Sequence, residues 1–252
     1  VLVLADNGGQ FDIVSLAQNQ VSQAAENGVA VISDRGSTVG QTALNDNVIG
    51  AVGGNGMLAQ ANNGRRLATA SISGNQVTEA GSNGLLVTAQ NGSQLDQALV
   101  DDFQITQTTA NGVLIQADSG SQIALTSVEN VSVGQAGENG LLVQADNGSQ
   151  MNTVTLVNGA ISSAGQNGVL ALANNGSQMN TVTVGQMAIG GSTGSSAIGS
   201  NGILVFADNG STLQTALVQT NQVAGVGATG IQVFADGRSQ VGAAQILDNQ
   251  LQ

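Results

Sequence analysis

An all-β parallel solenoid of about nine 28-residue turns, with three short strands per turn, is the fold this sequence predicts. Three observations carry it. A glycine recurs at Gly28, Gly56, Gly84, Gly112, Gly140, Gly168, Gly202 and Gly230, and every step is 28 residues except the 34 between Gly168 and Gly202. After each of these glycines apolar residues alternate with period two. A short turn of Asn, Asp, Gly and Ser follows each alternating stretch. Fixed self-similarity at this period is the signature of a repeat architecture. Cutting after each glycine gives seven units of 28, one of 34 and a last of 22, which account for all 252 residues. Residues 1–252 therefore read as one solenoid with no second domain.

Each element of the unit has a local cause. Positions one to five read VLVLA, LLVTA, VLIQA, LLVQA and ILVFA in different turns, with positions one, three and five nearly always aliphatic. Period two is a strand with one buried face. The segments DNGG, DRGS, QNGS, DSGS and NNGS come next, and Asn or Asp before Gly adopts left-handed backbone angles at low steric cost. Position eleven is apolar in all nine units, from Phe11 to Val241, and position sixteen is Leu, Ile or Val throughout. Position twenty-one is aliphatic from Val21 to Leu251. Asn19, Asn47, Asn75, Asn221 and Asn249 stand between these last two columns and predict a bend. Gly, Asn, Ser, Thr and Val disfavour helix. One unit cannot bury its apolar face, but stacked units can, each strand pairing in parallel with its counterpart one turn away. Nine layers at about 4.8 Å make a rod on the order of 40 Å long.

Composition narrows the function. The net charge is −12, all four cations are Arg, and His, Cys, Pro, Trp, Tyr and Lys are absent. The apolar fraction of 41% with only 2% aromatics implies a thin aliphatic core. Nucleic acid is excluded as a partner, because phosphate binding rests on clustered Lys and Arg. No apolar run reaches the ~18 residues of a membrane helix. Absence of Cys rules out a disulfide framework. The chain opens on VLVLADNGG, without Met or a basic segment, which predicts a processed form or a fragment.

The line NGLLVQADNGSQMNTVTLVNGAI, from Asn139 to Ile161, resembles the repeat of right-handed parallel β-helix proteins, the pectate-lyase-like solenoids. The shared features are Gly-aliphatic-x-aliphatic, a polar turn, two spaced aliphatics and Asn-x-aliphatic, and they cover the whole chain. The resemblance implies a right-handed coil. Its relatives include pectin-degrading enzymes, phage tail spikes, autotransporter passengers and bacterial surface fibres, so fold does not carry function here.

Candidate sites follow from the columns. Asp101, Asp102 and Glu129 form the best carboxylate group, since Asp101 and Glu129 are 28 apart. Paired carboxylates hydrolyse glycosides when one is held protonated. No Lys or His assists a lyase and no Trp or Tyr stacks a sugar, so the expectation is a charged edge and not an enzyme. Asp6, Asp34, Asp118, Asp146, Asp208 and Asp236 share one corner, where calcium could bridge carboxylates. Asn62, Gln90 and Asn174 interrupt that column, and the calcium-solenoid nonapeptide is missing, so neither a metal nor any other cofactor is expected. Arg35, Arg65 and Arg66 make one basic spot on adjacent turns, a place for an anionic sugar or local compensation of Asp6 and Asp34. The TVT stretches at 153–155 and 181–183 give two Thr ranks, too few for an ice-binding face. Asn91, Asn147, Asn175 and Asn209 head Asn-Gly-Ser sequons at one corner and would carry a glycan stripe in a cell that modifies them. GGSTGSSAIGS, 190–200, holds the six extra residues of the seventh unit and predicts an insertion loop.

Position two is Leu in seven units: Leu2, Leu58, Leu86, Leu114, Leu142, Leu170 and Leu204. Alternation places it outside, together with position four, where Phe206 and Phe234 stand. A continuous exposed apolar row marks a contact surface. Both terminal units read as ordinary repeats without a cap, which predicts open sheet edges. The expectation is a structural extracellular or cell-surface protein that forms a homo-oligomer or polymer through its ends and its Leu face. The alternative is a carbohydrate-binding or carbohydrate-cleaving β-helix of the tail-spike kind.

Overall fold

The computed structural model describes residues 1–191 and 197–252. Those residues form a parallel β-solenoid of about nine turns, and no helix occurs among them. First strands of successive turns, such as Leu85–Ala89 and Val113–Ala117, stack in chain order into a nine-stranded sheet. Second and third strands form a sixteen-stranded sheet that wraps the other sides. Every pairing is parallel and in repeat register: Val87 faces Ile115, and Met151 faces Met179. Across the long seventh unit the offset becomes 34, with Val169 against Ile203, and the register resumes. Ile198 re-enters the stack beside Ala164, so the six extra residues lie between Ile189 and Ile198. Residues 192–196 of the insertion-loop expectation are outside the described residues.

Two turns depart from three separate strands. Gln94–Thr108 and Gln122–Ala136 run as single 15-residue strands through the bend. In these two turns Phe103 and Val131 replace the Asn of position nineteen. The bend itself persists, because position eighteen has positive φ in all nine turns, at +46° for Asp102 and +52° for Asn130.

The first corner is a turn with two left-handed residues. Asn7 and Gly8 have φ of 52° and 84°, and the Gly9 N–H donates to the Asp6 carbonyl at 3.1 Å. This is the type I′ geometry that Asn-Gly favours. The repeating glycine has a different cause. A Cβ on Gly56 would lie 2.5 Å from the Gly84 carbonyl oxygen and 2.7 Å from Val77 Cγ1. The position-twenty-one side chain of the next turn packs on that bare Cα, which couples the third strand to the first.

The core lies in the columns read from sequence and in two more. Leu85, Val87, Leu67, Leu156 and Val133 are fully buried at positions one, three, eleven, sixteen and twenty-one. Positions fourteen and twenty-four also face in, as Ala70, Ala98, Val154 and Ala80 show. Position twelve has no register partner, so the buried face shifts from odd to even numbers there. This explains the spacing of five between the apolar columns at eleven and sixteen. Ala and Thr in six of the nine turns dilute the apolar signal of position fourteen, and Thr42 and Thr126 are buried with unpartnered hydroxyls.

Candidate functional site

The expected wet row of leucines is corrected by the structure. The column is in register, with Leu58 beside Leu86, Leu114 beside Leu142, and Leu170 beside Leu204. Yet Leu58 and Leu142 are buried, Leu86, Leu114, Leu170 and Leu204 are half-buried, and only Leu2 is freely exposed. Side chains stacked at about 4.8 Å cover one another above and below, so each presents a narrow strip to solvent. Leu2 stands in the first turn, and its register partner is the small Ala30. The outer column at position four is apolar near both ends of the rod: Leu4 and Ile32 at one, Leu172, Phe206 and Phe234 at the other. Its middle is Gln60, Thr88, Gln116 and Gln144. The rings of Phe206 and Phe234 stack with centroids 5.2 Å apart and planes 18° from parallel.

Asp101 and Glu129 are register partners, as the spacing predicts. Each carboxylate is occupied locally: Asn130 Nδ2 donates to Asp101 at 2.8 Å, and the Ser127 hydroxyl donates to Glu129 at 2.8 Å. Asp102 is an exposed left-handed corner residue. Asp96 pairs with Arg66. That hydrogen bond and the Asp96 charge push the Arg66 guanidinium further above its already high range, so Arg66 stays cationic.

The Arg residues divide their work. Arg35 approaches Asp6 at 3.8 Å and Asp34 at 4.0 Å, as local compensation requires. Such exposed pairs contribute little, roughly 0–1 kcal/mol. Arg65 and Arg66 line a depression of about 290 Å³ with Ser37, Thr38 and Gln94, and Arg65 Nε is buried without a hydrogen-bond partner.

Three carboxylates of the corner Asp column accept hydrogen bonds from Asn side chains. Asn63 Nδ2 donates to Asp34 at 2.6 Å, Asn147 to Asp118 at 2.8 Å and Asn175 to Asp146 at 2.8 Å, each from the next turn. Among the described residues no cluster of acidic side chains could hold a metal ion. The sequon asparagines use the same bonds, since Asn91 donates to Asn62 and Asn209 to Asn174.

A further arrangement, absent from the sequence expectations, is inside. Asn55, Asn83, Asn111, Asn139, Asn167 and Asn201 each donate Nδ2 to the Oδ1 of the Asn one turn earlier, at 2.9–3.0 Å, beginning at Asn27. At position nineteen the ladder runs the opposite way: Asn19 donates to Asn47, Asn47 to Asn75, and Asn221 to Asn249. A third column of buried Ser hydroxyls accepts backbone N–H groups of the preceding turn, as Ser121 does from Ser93 at 3.0 Å. Buried amides are tolerated only when bonded, and a ladder bonds every rung. The recurrence of one polar type in one column is the signal that marks such a ladder in sequence.

This chain matches no protein family, no curated protein and no solved structure. Its own side chains are then the only guide to its chemistry. Among the described residues no helix is long and apolar enough to cross a membrane.

Proposed function

We propose that this chain is a structural extracellular protein, a self-assembling β-solenoid that builds a fibre, sheath or adhesin stalk. The observation that carries this reading is the repeat register itself: each strand pairs in parallel with its counterpart one turn away, and corner amides bond to the neighbouring turn. A stack held turn by turn in this way is extended by adding turns, and strand edges pair with further strands. The side faces carry short-range polar ladders whose partners lie within the rod, which suits a passive scaffold more than a reaction. Negative-stain microscopy of the purified chain tests the reading. Filaments many times longer than the ~40 Å of nine stacked layers are expected. A field of single short rods at all concentrations sinks it.

A further inference from the structure

The buried serine column is broken at one turn. Position nine is Ser in seven of the nine turns, Gly in the first and Arg65 in the third. From Arg65 to Ser211 every residue of this column donates its backbone N–H to the hydroxyl of the following turn, Arg65 to Ser93 at 3.1 Å and Ser93 to Ser121 at 3.0 Å. Ser37 meets no hydroxyl on the turn that follows it, because that place is held by Arg65. The Ser37 N–H donates to the Asp34 carbonyl at 3.1 Å. The Ser37 hydroxyl is fully buried and has no partner, and neither has the buried Nε of Arg65. The two residues stand on adjacent turns, each one residue before the paired Thr38 and Arg66. A buried donor without an acceptor costs free energy, and two at one place call for a common acceptor.

Shape and charge say what that acceptor is. Ser37 and Arg65 both line the depression of about 290 Å³, where Thr38 and Gln94 add a hydroxyl and an amide. No acidic residue lines it. Arg66 is paired with Asp96, whereas Arg65 has no ion pair among the described residues. The depression therefore holds one uncompensated positive charge in a chain whose net charge is −12.

We propose that this depression binds a small monocarboxylate, whose oxygens accept from the Arg65 guanidinium and the Ser37 hydroxyl. Both unbonded groups donate, so the ligand accepts. A planar guanidinium matches a planar carboxylate. One unpaired cation matches one negative charge; a phosphate dianion brings one too many, and a metal cation is repelled. The volume is at the small end of ligand pockets, which suits a small acid. The site spans the second to fourth turns and does not depend on how rods assemble.

Four Arg and no Lys make the chain suited to footprinting with phenylglyoxal, which labels guanidinium groups. Labelling is followed at each Arg by peptide mass spectrometry, in acetate and in chloride of equal ionic strength. Acetate is expected to slow labelling of Arg65 by about fivefold and to leave Arg35 and Arg238 unchanged. Ser37→Ala should weaken that protection while keeping the thermal midpoint of the parent, because its hydroxyl has no bond to lose. Arg65→Ser restores the serine column, so the chain stays folded. The rise in thermal midpoint that acetate gives the parent through binding the native state should vanish in this variant. Equal labelling of Arg65 in acetate and chloride overturns the inference. So does an Arg65 that chloride alone leaves unreactive, since a sealed guanidinium takes no ligand. Inorganic phosphate protecting Arg65 more strongly than acetate overturns the monocarboxylate, and full protection in Ser37→Ala overturns the site. An Arg65→Ser midpoint well below the parent's in chloride makes Arg65 a structural member of the column and overturns it too.

Discussion

The middle turns and the terminal turns build the same corner from different materials. In the first three turns position nineteen is an amide ladder, with Asn47 and Asn75 fully buried. In the fourth and fifth turns it is Phe103 and Val131, also buried. In the sixth it is Gly159, whose empty space is filled from the next turn by Met187, with Sδ 3.0 Å from where a Cβ would sit. Backbone angles at the preceding residue are left-handed in every case. The bend is therefore set by position eighteen, and position nineteen decides only what lies behind it. An amide ladder transmits register from turn to turn through directed bonds. An apolar corner transmits none but buries more hydrocarbon.

The largest test of this difference is Phe103→Ala. A fully buried phenylalanine leaves a cavity, and the expected loss is about 3–5 kcal/mol, read from the urea midpoint. Asn47→Leu comes next. It preserves volume but orphans the Asn19 donors and takes the Nδ2 donor from the Leu16 carbonyl and from Asn75, whose Oδ1 keeps only the backbone N–H of residue 47, at a cost of about 2–3 kcal/mol. A neutral result would mean that the ladder adds nothing beyond volume. Gly159→Ala is smaller, about 1–2 kcal/mol, because the flexible Met187 can give way. Its effect and that of Met187→Ala should fall short of additivity in a double-mutant cycle, since both act on one space. Leu251→Ser should cost the isolated rod under about 0.5 kcal/mol, because Leu251 is 59% exposed. Ile105→Ser in the same column removes a buried side chain and should cost several times more. Equal thermal shifts at the two positions would erase the distinction between ends and middle.

Much of the solenoid is legible in the sequence. The 28-residue step places Asp101 against Glu129 and Met151 against Met179, and the Asn-Gly pairs mark left-handed corners. Two core columns are not legible, because Ala and Thr in most turns dilute the signal of Val14, Val154 and Val182 at position fourteen and because the phase shift at position twelve breaks simple alternation. The candidate sites are less legible than the fold. Asp101 and Glu129 come together as their spacing predicts, but each already serves a neighbour, Asn130 or Ser127. The Asp column reads in sequence as a place where calcium could bridge carboxylates, and in the structure Asp34, Asp118 and Asp146 accept from the Asn of the next turn. Arg65 and Arg66 share a depression, but Arg66 is committed to Asp96.

The sequence by itself determined the period, the strand faces, the turn chemistry and the aliphatic nature of the core, because each is written within five to ten residues. Only the tertiary structure decided which outward leucines stay wet, which way each amide ladder points and which carboxylates remain free. Those properties depend on groups one turn away, at about 4.8 Å. A neighbour at that distance covers a side chain, or donates to it, in a way no single unit can specify.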